Sequence, residues 1–339
     1  MTRTEQPLLS ICIPTFNRAR YLKKNIDSIV RQPEFQDGSV EIVVSDNVSE
    51  DATQALCESY AARFANFRYF RNEKNIRDAN FPLALSRGRG VLRRLVNDRL
   101  WFYDGSLSMM CQEVKRYLHQ DEKPVLFFAD GLRSGADAVA PLTLDDFMRD
   151  ASFWVTWIGG FSIWASHCDG LATDTKYCDL QFWQVDKICR MVIEHGGIVV
   201  HQRSTYGQAF EKKEIGYGIY ELFHDIFFKI LSPYYRDGYI SDACYEQLQK
   251  DVLYDFISEG VAQYDNGNRK YKFLGRQDVN DPQRMKQRIQ EDYGDKPYYQ
   301  DYLMFYEKRK RRIWMKEWIK SFLPVKMRDL LTRFRDRPR

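Results

Sequence analysis

Several broad classes are excluded by what this sequence lacks. Nowhere in its 339 residues is there an apolar run approaching the ~20 needed to cross a bilayer. Met1–Pro7 lacks the basic-then-apolar build of a secretory signal. Seven cysteines (Cys12, Cys57, Cys111, Cys168, Cys178, Cys189, Cys244) include no CxxC pair and read as reduced thiols of a cytoplasmic protein. Neither GxGxxG after the first strand nor GxxxxGK[ST] occurs, so a dinucleotide fold and a P-loop are both unsupported. No internal repeat or low-complexity stretch is present. A chain that is 44% hydrophobic and 29% charged is neither disordered nor collagen-like.

What is present is a mildly acidic body with a basic end. Residues 306–339 hold 13 Lys/Arg against 4 Asp/Glu, a net of +9, leaving 38 basic and 43 acidic residues (net −5) in 1–305. A nucleic-acid binder with a basic core face is disfavoured; a tail that meets an anionic surface is favoured.

Short apolar runs alternate with helical patterns over the first half. Strands are expected at Leu8–Pro14, Val40–Ser45, Phe67–Phe70, Gly90–Val96 and Pro124–Ala129. Helices are expected at Arg20–Arg31, Ala52–Phe64, Ala79–Ser86 and Ser106–His119. This alternation predicts βαβ units, hence an α/β fold with a mostly parallel sheet flanked by helices. Gly131–Pro141 reads as a loop and Leu144–Phe153 as a short helix. A strand at Phe161–Trp164, a helix at Asp179–Glu194 and a final strand at Ile198–His201 follow. Beyond about Glu214 strand signals fade into helices rich in Tyr and Phe (Ile219–Leu231, Ser241–Ala262, Asp281–Asp292). The expected organisation is a nucleotide-binding and catalytic domain over 1–210, a C-terminal helical appendage over 211–305 and a basic amphipathic tail over 306–339.

In open parallel sheets ligands bind at the carboxyl ends of strands. Three such ends are polar here: Pro14-Thr15-Phe16-Asn17-Arg18, Asp46-Asn47 with Ser49 and Asp51, and Asn97-Asp98. A carboxylate at the second can accept hydrogen bonds from a base or ribose, and Asn17 and Arg18 are placed for a base or a diphosphate.

The segments LLSICIPTFNRARYLKKNIDSIV, VEIVVSDNVSEDAT, RNEKNIRDANFPLAL and RGRGVLRRLVND resemble, in order and spacing, the donor half of family-2 inverting glycosyltransferases with the GT-A fold. The nearest type is the bacterial O-antigen, capsule and teichoic-acid transferases, abequosyltransferase-like members included. The resemblance spans about residues 8–205. It implies that Pro14, Thr15, Asn17 and Arg18 line a nucleotide pocket, that Asp46 holds base or ribose, and that Asn75 lies at the pocket's edge. Asp98 falls where such enzymes carry a metal- and diphosphate-facing acidic cluster for Mg²⁺ or Mn²⁺, and His201 where relatives can place a metal-ligating His. The chain departs from that pattern in having Asn97-Asp98-Arg99, Arg77 in place of a Gly, and Arg93-Arg94 within the strand. Three readings follow: a metal on Asp98 helped by His201, arginines such as Arg77 and Arg99 doing part of a cation's work, or an inactive copy. Asp104 could give a second, displaced carboxylate.

Inverting transfer needs a base for the acceptor hydroxyl. The resemblance places it at Asp179, with Asp186 second; the competing role for Asp179 is to cap the following helix. Trp154–Trp164 is dense in aromatics around Gly159-Gly160. Either it is an acceptor surface, with Trp157 the exposed ring and the glycines letting backbone approach a sugar, or it is a core strand and turn. In the tail, Trp314, Trp318 and Phe322 recur at helical spacing beside lysines. Met327, Leu330, Leu331 and Phe334 continue an apolar face. That suits a helix lying on a membrane surface, with packing on protein and nucleic-acid binding as rivals.

The expected function is transfer of a sugar from a nucleotide-diphosphate sugar to a lipid-linked or cell-surface glycan. It would take place at the inner face of a bacterial membrane, without nucleic acid, and with a homo-oligomer left open. The alternative is an inactive binding subunit of a glycan assembly complex.

Overall fold

The computed structural model describes residues 6–129, 140–201, 206–208, 213–215, 218–266, 271–273 and 281–322. Most of the loop expected at Gly131–Pro141 (residues 131–139) and the apolar positions from 327 onward lie outside the described residues. Two compact units are present, Met1–Ala209 with Gly238–Ile240, and Phe210–Asp237 with Ser241–Arg339.

The first unit runs β1 (Leu9–Thr15), α1 (Ala19–Val30), α2 (Pro33–Gln36), β2 (Val40–Asp46), α3 (Thr53–Ala61), β3 (Phe67–Arg71), α4 (Asn80–Ser86), β4 (Leu92–Leu95), β5 (Leu100–Phe102), α5 (Ser106–Tyr117), β6 (Val125–Ala129), α6 (Leu144–Ala151), β7 (Ser162–Trp164), α7 (Trp183–His195), β8 (Gly197–His201) and β9 (Tyr206–Gln208). The main sheet has the order β3-β2-β1-β4-β7. All its pairings are parallel except that of β7 with β4. β1 and β2 are buried along their whole length, which is why both read as continuous apolar runs rather than alternating ones. Leu22, Ile26 and Ile29 form the buried face of α1. The chain winds outward from β1 to β3 and returns to β4 on the other side of β1, so strand order reverses beside β1, where the polar strand ends lie.

Two short strands were not expected: β5 and β9 pair antiparallel. Three residues are too few to carry a period. The arginines in β4 also find their reasons. Arg93 donates to the carbonyls of Leu85 and Ser86 at 3.2 Å, capping the end of α4. Arg94, with no exposed surface, donates twice to the Gly159 carbonyl (3.1 and 2.8 Å) and lies over the Phe128 ring.

The second unit comprises β10 (Lys213–Ile215), α8 (Phe227–Arg236), α9 (Asp242–Asp251), α10 (Ser258–Asp265), β11 (Tyr271–Phe273), α11 (Pro282–Tyr293) and α12 (Tyr299–Phe322). π-helical turns at Glu221–Ile226 and Val252–Ile257 lead into α8 and α10. Ser241 and Asp281 cap α9 and α11 through their side chains. β10 and β11 pair in parallel, in a region expected to be helical. Its core is aromatic, including Tyr220, Phe227, Tyr293, Tyr302 and Tyr306.

The described part of the basic segment expected to begin at 306 lies within α12, Tyr299–Phe322. Tyr302 and Tyr306 are buried. The Tyr306 hydroxyl donates to Asp265 at 2.8 Å, and Lys310 pairs with the same carboxylate at 2.9 Å. Farther along, Trp314, Met315, Trp318 and Ile319 are each about half exposed. Among the described residues no helix is long and apolar enough to cross a membrane.

Candidate active site

The carboxyl ends of β1, β2 and β4 meet in one polar cluster. The Thr15 hydroxyl donates to Asp98 Oδ2 at 2.9 Å, and the Asn47 amide donates to the Thr15 carbonyl at 2.9 Å. Asn17, in the left-handed region (φ 53), stitches two loops together. Its amide donates to Ser49 Oγ (2.9 Å) and its side-chain oxygen accepts from the Glu50 amide (2.7 Å). Pro14 is buried within β1. Phe16, to which the sequence pattern gives no role, is 43% exposed beside them.

Asp46 is enclosed by protein. It has no exposed surface, and both oxygens are engaged by protein. Oδ1 accepts from the Ser49 amide and hydroxyl (2.9 and 2.5 Å), Oδ2 from the Tyr69 hydroxyl and Arg71 (2.8 and 3.2 Å). The expected contact with base or ribose competes with these four bonds: Asp46 orders the strand-end loops, and Arg71, about one-third exposed, reaches the surface from the same cluster. A charged residue closing the run FRYFR was the available signal for it.

Asn47 links that cluster to the next loop. Its oxygen accepts from Asn72 (2.9 Å) and the Ile76 amide (3.2 Å), and its amide group donates to the Arg77 carbonyl (3.0 Å). Asn75 is exposed and accepts from the Arg77 amide at 2.9 Å. Val48 and Arg77 both adopt left-handed backbone (φ 65 and 52). For a β-branched residue that is a strained state, of the kind that clusters at functional sites.

Asp98 is buried, and burial pushes its carboxyl up to about 6 against the opposing pull of Arg18 and Thr15. The folded carboxyl therefore holds its proton more tightly than the unfolded one at 3.8. Its contribution to stability falls as pH rises from about 4 to about 6 and is level above. The gap between the folded and unfolded carboxyl corresponds to about 3 kcal/mol. In chemical denaturation across that interval, Asp98→Asn should gain stability relative to the parent by an amount of this order. A difference that stays constant with pH would rule the effect out.

Asp179 lies on an exposed 3-10 turn, Cys178–Leu180, bracketed by Tyr177 and Gln181, both left-handed (φ 65 and 66). The helix expected to start at Asp179 begins at Trp183 with Phe182 in the capping position, so Asp179 does not cap it. Its turn packs against the Arg77–Ala79 turn. There burial pushes the Asp78 carboxyl up to about 6. Asp179 is thereby brought beside the loop that Asn47 ties to the strand ends. Asp186 is enclosed instead, 1% exposed, between Lys176 (2.8 Å) and Arg190 (2.7 Å). Arg190 also grips Asp174 at 2.9 Å. This ion network clamps the segment carrying Asp179 onto α7 and leaves Asp186 no access to an acceptor.

The glycine pair is packed against the protein's own rings. A Cβ at Gly159 would meet Trp157 at 2.3 Å, and one at Gly160 would meet Phe127 at 2.5 Å. The space expected for a sugar is filled by side chains. Trp157 is partly buried against Tyr206 (4.9 Å between ring centres), while the exposed ring is Trp154, at 41%.

The described residues do not fit a divalent cation. Among them no three His, Cys, Asp or Glu side chains gather into a possible metal site. Asp98 is flanked by Thr15 and Arg18, Asn97 Oδ1 accepts the Arg99 amide at 2.9 Å, and Asp104 is exposed and paired with Arg31 at 3.0 Å. His201 closes β8 in register with Ala129; its side chain lies outside the described residues.

Comparison with known proteins agrees with this architecture. The chain is 31% identical over 137 residues to the abequosyltransferase RfbV of Salmonella typhimurium (39% of this chain, 38% of that protein). It is 33% identical over 116 residues to the GalNAc(5)-diNAcBac-PP-undecaprenol beta-1,3-glucosyltransferase of Campylobacter jejuni (33% of this chain, 37% of that protein). The chain thus spans under two-fifths of the length of either relative. Residues 1–349 of S. aureus TarS share the fold, with a TM-score of 0.50 at 14% identity over 75% of this chain and 74% of that one. Residues 10–119, which include the strand ends that carry Thr15, Asp46 and Asp98, match the family model Glycosyl transferase family 2.

Proposed function

We propose that the chain is an inverting glycosyltransferase that moves a sugar from a nucleoside-diphosphate sugar to a lipid-linked glycan, with Asp179 as general base. The observation that carries this reading is the placement of an exposed carboxylate, on a strained and clamped turn, against the loop at the rim of the strand-end cluster. The Asp179 carboxylate takes the acceptor hydroxyl's proton as the oxygen attacks the anomeric carbon from behind. The bond from that carbon to the phosphate oxygen breaks, and the nucleoside diphosphate leaves with the electron pair. Thr15, Asn17, Arg18 and Asn75 border the donor, and Trp154 offers an exposed ring face to the acceptor. The lipid-linked acceptor is supported by the undecaprenol-linked substrate in the name of the Campylobacter relative.

The test is a panel of UDP-, GDP-, CDP- and dTDP-sugars incubated with undecaprenyl-diphosphate-linked glycans. One donor should release its nucleoside diphosphate only when acceptor is present, with inverted configuration in the product. The enclosure of Asp98 favours a second reading, a subunit that binds without transferring. It would be indicated by donor binding without release on any acceptor.

The distal part of α12 is proposed to lie on an anionic membrane surface. Trp314 and Trp318 stack with ring centres 6.1 Å apart, next to exposed Arg311, Arg312 and Lys316. Such a face places rings at the lipid boundary and cations at headgroups. Replacing both tryptophans with Ser should abolish flotation with phosphatidylglycerol vesicles; retained flotation refutes the proposal. Truncation before Tyr306 is unsuitable for this purpose, because it removes part of the unit's core.

A further inference from the structure

The strand-end cluster fails as a cation site in a particular way: the charge a metal would bring is already supplied by side chains. A divalent ion serving a diphosphate takes one or two carboxylates together with the phosphate oxygens. Here Asp98 is the single buried carboxylate at the end of β4. Arg18 Nε lies 3.8 Å from its Oδ2, the same oxygen that accepts from Thr15. Arg99 follows it directly and reaches across to the Tyr21 ring of α1, 5.9 Å from its centre. Its positive charge, like that of Arg18, acts on Asp98. A metal ion bound to Asp98 would stand among guanidinium groups of its own sign. Two guanidinium groups together carry the formal charge of one divalent ion, and their planar donor forks match phosphate oxygens. Arg18, about one-third exposed, is fixed at its base by the loop that Asn17 stitches.

We propose that Arg18 and Arg99, whose charges both act on Asp98, form a diphosphate site that works without a divalent cation. Asp98 acts there as a positioning residue for the guanidinium groups rather than as a metal ligand. This rests on the nucleoside-diphosphate reading above and specifies how that ligand's charge is met.

The experiment is calorimetric titration of the full chain with UDP, GDP, CDP and dTDP, in excess EDTA and again in excess Mn²⁺. The nucleoside that corresponds to the best diphosphate serves as a control. The expected result is a dissociation constant in EDTA within about twofold of that in Mn²⁺. Arg18→Gln and Arg99→Gln should each weaken the diphosphate about tenfold or more while leaving the nucleoside unchanged. Arg18→Lys and Arg99→Lys should recover part of the loss, and circular dichroism confirms that each variant is folded. Asp98→Asn, which removes the carboxylate that positions the guanidinium groups, should weaken the diphosphate by the same factor in EDTA and in Mn²⁺. Diphosphate binding that appears only with Mn²⁺ and disappears in Asp98→Asn overturns the inference while leaving the glycosyltransferase reading intact. Binding unaffected by either Arg→Gln change overturns it as well. Absence of binding to all four diphosphates under both conditions overturns the inference and the donor reading together.

Discussion

Asp179→Asn is expected to cut sugar transfer by about 10²- to 10⁴-fold, the usual contribution of a positioned base, while nucleotide affinity stays as it was. Both halves follow from where the residue sits. Its turn touches the Arg77–Ala79 turn at the rim of the donor loops, but none of the bonds that order Thr15, Asn17, Asp46 or Asn47 involves it. The turn is held by the grip of Arg190 on Asp174 and Asp186 and by backbone bonds such as Leu180 to Tyr177, so amide for carboxylate leaves its shape in place. Single-turnover release of nucleoside diphosphate, beside a binding titration, separates the two effects. Unchanged turnover removes Asp179 as the base. A matching loss of affinity would mean that it serves the donor instead.

The second large effect is on stability. Asp46→Ala should destabilise the first unit by about 3–5 kcal/mol, the cost of breaking a buried charged network by removing one partner. The carboxylate accepts four hydrogen bonds in a fully enclosed position. Its loss strands the Ser49 hydroxyl, the Tyr69 hydroxyl and part of the Arg71 fork at once. For a unit of this size that amounts to a fall of about 10 °C in melting temperature. Asp46→Asn keeps the volume but turns two of the four acceptor sites into donors that face donors, so it should also lose stability. A melting temperature within a degree or two of the parent would show that these bonds contribute little. Nucleotide binding should fail with the loops, which distinguishes an organising residue from one that touches the base alone.

Much of the fold could be read from the residues because β1 and β2 are buried on both faces, and such strands show themselves as apolar runs. The polar strand ends followed from the same runs, while the departure at Asn97-Asp98-Arg99 left a metal on Asp98, arginine assistance and an inactive copy all open. What the residues could not disclose is where a side chain points when its partners lie elsewhere in the chain. Asp46 is a strand-end carboxylate in either reading. Only the arrival of Tyr69 and Arg71 from β3 turns it inward. Gly159 and Gly160 look like open space until Trp157 and Phe127 are seen to fill it. α7 starts four residues later than its apolar pattern suggests because Tyr177 and Gln181 adopt a left-handed backbone more typical of Gly or Asn. The strands β5, β9, β10 and β11, which were not expected, are three residues each; β7, equally short, was expected within the run Phe161–Trp164.

The continuity of α12 has a mechanical consequence. Tyr306 is locked in the aromatic core and Trp318 lies twelve residues on, about 18 Å along an unbroken rod. Whatever surface receives the far end is therefore held at a set stand-off from the core of the second unit. A coiled tether of equal residue count would allow that gap to wander, whereas this helix works as a spacer of defined height.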